Sequence, residues 1–227
     1  MPTTIQAGKR GFASTQDQHQ TARDSVGGES GFRMGLLGWL KRKSNGGDPR
    51  LSHWRRAWND AVGSPGRGDE AALGSELDAL GLPEDDIEVE REMLEALRDL
   101  NALRQQVDGC ALPVVETGHR VIGSDRCHFS APASMPDDPA QPAGRLLLTD
   151  RRAVFVGGAR VISLPWHSIG EALRSERDVV LTGRNREQLY RFRCNSFTDA
   201  TRGVFLAERL AASRQPKMVP RSPRSLS

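Results

Sequence analysis

Cysteine, lysine and aromatic residues are scarce in this 227-residue chain. Its three cysteines, Cys110, Cys127 and Cys194, are too few and too scattered to form a disulfide framework. Only four of its 32 basic residues are lysines, a bias typical of a GC-rich coding genome and uninformative about phosphate recognition. Aromatic residues make up 5% of the chain and are not interleaved with basic residues, so no specific nucleic-acid surface is indicated.

Long apolar runs are also missing, since none approaches the roughly 20 residues that a transmembrane helix needs. We therefore expect a cytoplasmic protein, either soluble or peripheral to the inner face of the membrane. The net charge of +3 and a pI of about 9.0 are compatible with contact to acidic surfaces without requiring it.

Hydrophobic residues make up 37% of the chain and the mean hydropathy is −0.52, so part of the length is predicted to stay unfolded. Residues 1–33 lack apolar periodicity and are predicted to be disordered. From Met34 the sequence looks like a natural protein beginning, which gives the hypothesis that translation starts there. Residues 213–227 carry basic residues and no acid, and they are predicted to form a disordered basic tail.

Residues 34–109 are predicted to be a helical region. Asp48 followed by Pro49 is typical of a helix start, and Gly63 of a helix end. A second helix is indicated by leucines at four- and three-residue spacing up to Gly81.

The strongest helical pattern opens at Pro83 and ends at Gly109. It carries a narrow apolar seam, formed by Val89, Met93, Leu100, Leu103 and Val107. Such a seam must face another helix or another copy of the protein. A helical hairpin within the chain and a coiled-coil homo-oligomer through residues 83–108 both remain open.

From Pro113 the pattern changes to short apolar or alternating runs, which predicts β-strands. The turn at Thr149 to Arg152 is expected to use the Asp150 side chain to bond nearby backbone. A closing helix is indicated with Thr198 as its cap. The predicted strands are residues 119–122, 127–131, 144–149, 153–156, 160–164, 179–182 and 189–194.

The run GRLLLTDRRAVFVGGARVISLPWHSI, residues 144–169, resembles the central hairpin of bacterial pleckstrin-homology-like and GRAM-like domains. The resemblance covers about a hundred residues, 113–212, and adds a strand at Glu171 to Arg174. It implies an α+β chain, in which the helical region precedes a bent antiparallel β-sandwich or barrel of about seven strands capped by a C-terminal helix. Leu146, Leu148, Phe155 and Ile162 are expected in its core.

Domains of this type commonly bind acidic lipids or act as protein scaffolds. The resemblance therefore implies one of these two functions for this chain. The arginines that could hold an anionic head group or a partner carboxylate are Arg145, Arg151, Arg152, Arg160, Arg191 and Arg193. Arg191 and Arg193 should point to the same side of their strand. The competing interpretation is a solvated face, whose arginines pair with nearby acids such as Asp178.

A second membrane argument comes from the segment before the first helix. Phe32 and Trp39 could form part of one apolar face, followed by the cations Lys41, Arg42 and Lys43. A helix that packs on protein is the alternative interpretation.

No catalytic, metal-binding or cofactor motif is present in the sequence. Cys127 and His128 are adjacent on a predicted strand, so they should face opposite sides and not converge on one ion. We therefore predict a non-enzymatic binding module, most simply a protein-interaction or scaffold protein with an unidentified protein partner. The alternative is a peripheral membrane protein that binds anionic lipid.

Overall fold

A computed structural model describes residues 48–64, 69–109, 111–158, 160–185 and 188–214, all within one structural unit, Gly47–Ser227. The predicted segment Phe32 to Lys43, the proposed start at Met34 and the predicted basic tail beyond residue 214 lie outside these residues. Among the described residues, three helices come first, α1 (Pro49–Gly63), α2 (Glu70–Ala79) and α3 (Glu88–Gly109). Seven strands and the closing helix α4 (Phe197–Arg214) follow.

Helices α1 and α2 begin where short polar side chains can satisfy free backbone N–H groups. The Asp48 carboxylate accepts a hydrogen bond from the Arg50 N–H at 2.8 Å, and Pro49 occupies the first helical position, as predicted. Asp69 caps α2 by accepting from the Ala72 N–H at 2.9 Å. Helix α3 begins at Glu88 rather than at Pro83, because Glu84–Asp86 form a separate 3-10 turn.

The three helices enclose a second core, which is built around two tryptophans and which Phe197 of α4 joins. Trp54 is 2% exposed and its indole N–H donates to the Leu73 carbonyl at 2.8 Å. Trp58 is fully buried and its indole N–H donates to the Met93 carbonyl at 2.6 Å. Both rings therefore bury their apolar surface without leaving a polar atom unpaired.

The strands are β1 (Cys127–Ser134), β2 (Ala143–Thr149), β3 (Arg152–Gly157), β4 (Arg160–Pro165), β5 (Ile169–Ser175), β6 (Asp178–Gly183) and β7 (Leu189–Cys194). They form one antiparallel sheet in the order β4-β3-β2-β1-β7-β6-β5, open between β4 and β5, with α4 packed on it. This is the α+β, pleckstrin-homology-like architecture that the resemblance implied.

The signature residues occupy the sheet core. Leu146, Leu148 and Phe155 are almost fully buried, and Ile162 packs partly buried against them, as predicted. Strand β4 ends at Pro165, which has no N–H to donate to a ladder.

The turn between β2 and β3 uses a different side chain from the one predicted. The Thr149 hydroxyl accepts from the Arg151 and Arg152 N–H groups at 3.2 and 3.0 Å and donates to the Arg152 carbonyl at 2.9 Å. Asp150 instead accepts from the Arg126 N–H at 3.1 Å. The hydroxyl is fully buried with its residue, so it must find its partners inside the turn.

The predicted strand at residues 119–122 is wrong. Arg120–Ile122 form a 3-10 turn that closes at Gly123, whose φ is +58°. Of the turn, only Ile122 is buried, in a small cluster with Cys127, Leu147 and Val154. A turn is enough to place a single buried side chain such as Ile122. A strand would also need a neighbouring strand to accept and donate its backbone hydrogen bonds.

The apolar seam of α3 is covered from within the chain. Met93 packs among the helices, whereas Leu100 and Leu103 join the sheet core together with residues of α4. Val107 is partly buried against that core, and Val89 remains 41% exposed. Helix α3 therefore links the helical layer to the sheet, and its seam meets neighbouring helices of the same chain rather than requiring a second copy.

The closing helix begins two residues earlier than its predicted cap implied. The Ser196 hydroxyl accepts from the Asp199 N–H at 3.0 Å, so Ser196 is the cap, and Thr198 lies inside α4. We expect Ser196→Ala to lower the free energy of unfolding by about 1 kcal/mol, because one helical N–H loses its acceptor. Urea unfolding followed by circular dichroism measures this loss. Thr198→Ala is the matched control; a larger loss in that variant than in Ser196→Ala would contradict the assignment.

Candidate functional site

The arginines on β7 are engaged by one acid of the same sheet. Arg191 and Arg193 lie on the same side of their strand and both hydrogen-bond to the Asp178 carboxylate, the Arg193 Nε at 3.0 Å. The Asp178 side chain is 2% exposed, and Asp178 is paired with Arg193 in the register of β6 and β7. A buried carboxylate needs such partners, because an unpaired charge in the interior is strongly disfavoured.

The arginines of the central hairpin are also paired. Arg151 and Arg152 lie 3.5 and 3.0 Å from the oxygens of Asp125, whose side chain is 5% exposed. Arg160 forms an ion pair with Asp138. Arg145 donates to the Ser130 hydroxyl at 3.1 Å. An anionic head group would have to compete with carboxylates already in place, and lipid binding by these arginines remains a prediction.

Cys127, Cys194 and His128, which were singled out in the sequence, are all buried. The Cys127 thiol donates to the Phe129 carbonyl at 3.0 Å, and the His128 ring Nδ1 lies 2.7 Å from the Pro113 carbonyl oxygen. Burial raises the pKa of the Cys194 thiol to about 12. Among the described residues, no group of three or more His, Cys, Asp or Glu side chains could hold a metal ion. None of the helices described is long and apolar enough to cross a membrane.

A cleft of about 470 Å³ lies between the end of α1, α3, β5 and α4. Its volume falls in the range of known ligand-binding clefts. Helix α4 contributes residues spaced by three, one and three positions, which places them on one helical face. These residues are Thr201, Val204, Phe205 and Glu208.

The same helix packs its opposite face into the core of the sheet, where Ala200, Leu206, Ala207 and Leu210 are buried. Strand β5 supplies the facing wall with Ala172, Leu173 and Arg174. Leu173 is 45% exposed, which leaves apolar surface open to a ligand.

Arg174 reaches from β5 across to α1. Its guanidinium lies 4.4 Å from the centre of the Trp58 ring, donates to the Glu176 carbonyl at 2.9 Å and bonds the Asn59 side-chain oxygen. No carboxylate of the described residues lies within 4 Å of it, and its Nε has no hydrogen-bond partner among them. Burial lowers the pKa of Arg174 to about 10, which records the unfavourable desolvation of an uncompensated cation.

Two further arginines line the cleft from the other side. Arg104 of α3 is 8% exposed, and its guanidinium donates to the Val62 carbonyl at 2.6 Å. Arg209 of α4 lies 5.2 Å from the centre of the Phe205 ring. The pKa of Arg104 is lowered by burial first and by the nearby Arg209 charge second. The two cations are therefore close enough to repel each other, and Glu208 is the one acid among the described lining residues.

Sequence reasoning missed these three arginines. Arg174 was placed only at the end of a predicted strand, and Arg104 and Arg209 carried no expectation. The cleft is assembled from four elements far apart in the chain, so no local spacing could reveal it. The available signal was the polar Thr201 among apolar residues of α4, whose side chain is buried and whose hydroxyl has no partner among the described residues.

Comparisons with known proteins find no matching family model and no matching curated protein. Among solved structures, the C-terminal domain of an unknown protein from Leishmania infantum is 13% identical, with a TM-score of 0.35 over 40% of this chain and 88% of that one. The activated truncation of Vav1 is 12% identical, with a TM-score of 0.37 over 74% of this chain and 47% of that one. The DH/PH domains of PDZ-RhoGEF, solved with activated RhoA, are 11% identical, with a TM-score of 0.34 over 72% of this chain and 54% of theirs. These scores are low, so the fold assignment rests on the order and pairing of the chain's own strands.

Proposed function

We propose that this protein is a non-enzymatic interaction module, which binds an extended segment of a protein partner in the cleft between β5 and α4. The observation that carries the proposal is the edge of β5. This strand pairs with β6 on one side, and no described strand pairs with its other side. Unpaired N–H and C=O groups along such an edge can hydrogen-bond an added strand.

The walls of the cleft suit a peptide side chain as well as its backbone. Leu173 on β5 and Val204 and Phe205 on α4 offer apolar surface next to the strand edge. An added strand would direct alternate side chains toward this surface and toward solvent. Main-chain hydrogen bonds would supply affinity, and the apolar wall would supply selectivity.

A protein partner is favoured over a lipid surface by the charge pairing described above. The sheet arginines Arg151, Arg152, Arg160, Arg191 and Arg193 each have a carboxylate partner within the chain. A membrane-binding face would instead present cations that anionic head groups can reach without displacing acids.

Panning a library of displayed random peptides against the full chain tests this function. We expect selected peptides to lose at least tenfold in affinity with Leu173→Asp, because a charge would be placed against the apolar wall. Fluorescence anisotropy with labelled peptides measures the change. Leu189→Asp is the matched control, since Leu189 is 59% exposed on β7 and does not line the cleft. Failure to select binders, or equal binding by the Leu173→Asp variant, would overturn the proposal.

A further inference from the structure

The described arginines divide into two groups according to their partners. Most of those on the helices and the sheet have a carboxylate within 4 Å, from Arg50 near the first helix to Arg193 on the last strand. Arg174 and Arg209, which line the cleft, have no such carboxylate among the described residues. Other described arginines, among them Arg56 and Arg145, also have no such carboxylate, but Arg174 lines a cleft that borders an open strand edge.

We propose that the partner segment carries an acidic side chain, Asp or Glu, whose carboxylate binds Arg174 in this cleft. The inference rests on the proposed function, because it assigns the chemistry of the segment that would lie along β5. It adds a charge requirement that the strand edge and the apolar wall do not impose by themselves.

Arg174 is already held in place for this role. Its guanidinium is stacked over Trp58 and bonded to Asn59 and to the Glu176 carbonyl, so little conformational freedom remains to be lost on binding. Those contacts are all with neutral groups, which leaves the positive charge without an opposite one. A bound carboxylate would form charge-assisted hydrogen bonds and would raise the pKa of Arg174 back toward its ordinary value.

The surroundings favour an anion over a neutral side chain. Arg104 and Arg209 add two positive charges against the single acid Glu208 among the described lining residues. Their mutual repulsion would be relieved by an added negative charge. The buried Thr201 hydroxyl, which has no described partner, could donate to the same carboxylate after rotation about χ1.

We expect a carboxylate rather than a phosphate as the anionic group, because apolar side chains lie next to the arginines in this cleft. A phosphate group carries close to two negative charges and three strongly hydrated oxygens, which would have to be desolvated against Leu173 and Phe205. A carboxylate carries one charge on two oxygens and can follow or precede an apolar side chain in the same segment.

The test uses the peptides selected on the full chain. We expect an Asp or Glu enriched at one position, and we expect its replacement by Asn or Gln to weaken binding by tenfold or more. Arg174→Glu should weaken the acidic peptide at least as much, and a peptide with Lys at that position should recover binding to this variant. Arg145→Glu is the matched control, because Arg145 also has no carboxylate partner but lies on β2, outside the cleft.

Arg209→Glu provides a second variant if Arg174→Glu folds poorly, since Arg209 is exposed and its guanidinium lies over the Phe205 ring. It should weaken the acidic peptide by about three- to tenfold through lost charge attraction. One outcome is that the selected peptides depend on Leu173 for binding and yet show no preference for Asp or Glu. That result would overturn this inference, while peptide binding in the cleft would still be supported. Tenfold tighter binding of a phosphoserine peptide at the same position would overturn the carboxylate assignment.

Discussion

Trp58→Ala is expected to lower the free energy of unfolding by about 4 kcal/mol. The Trp58 ring is fully buried, stands edge-on to Phe197 with 5.8 Å between ring centres, and lies 4.4 Å from the Arg174 guanidinium. Its removal would open a cavity at the junction of α1, α3 and α4 and would remove the indole N–H that bonds the Met93 carbonyl. Guanidinium unfolding measures the loss.

Two controls make this result specific. Trp58→Phe keeps an aromatic ring but removes the indole N–H, so we expect a smaller loss of about 2 kcal/mol. Arg56→Ala changes an exposed residue on the same helix and should stay within about 0.5 kcal/mol of the unchanged protein. A loss below about 1 kcal/mol for Trp58→Ala would show that the helical layer does not pack on the closing helix as described.

Gly144→Ala should be the most damaging small substitution in the sheet, with a loss of about 3 kcal/mol. A Cβ atom at this position would lie 2.1 Å from the Val156 carbonyl oxygen and 2.5 Å from the Gly157 Cα. Both neighbours are backbone atoms of β3, so relief requires the strands to separate rather than a side chain to turn. Thermal and urea unfolding measure the effect.

Gly118→Ala is the matched control for this prediction. A Cβ at Gly118 would meet no atom within 4 Å, and its φ lies outside the left-handed region. It should therefore be neutral or raise stability slightly, because alanine restricts the unfolded chain. Equal stability of the Gly144→Ala and Gly118→Ala variants would mean that β2 and β3 are less closely paired at this end than the register indicates.

The sequence predicted the structure best where the deciding interactions are between residues close together in the chain. Asp48, Pro49 and Gly63 predicted the bounds of α1 because capping and backbone freedom depend on neighbouring residues. The hairpin of β2 and β3 was also predicted, because its two strands follow each other in the chain and are joined by a short turn. Choices between nearby polar side chains were less predictable. Thr149 rather than Asp150 bonds the turn, and Ser196 rather than Thr198 caps α4.

The candidate site was not predictable in the same way. The arginines that stood out in the sequence were grouped by their nearness in the chain, yet all except Arg145 pair with a carboxylate brought close by folding. Asp125 is more than twenty residues from Arg151 and Arg152, and Asp178 lies on the strand next to β7. Arg174, which no pattern marked, is left in the cleft without an acid within 4 Å among the described residues.

The sequence by itself determined which segments become helices and strands, in which order they follow, and which apolar residues enter the core. Helix capping, the spacing of apolar residues and turn formation each depend on a few neighbouring residues, so they can be inferred from the sequence. The tertiary structure alone decided which charges are neutralised and where a cleft remains. Those outcomes depend on contacts between α1, α3, β5 and α4, and an arginine's environment depends on burial and on acids that are distant in the chain.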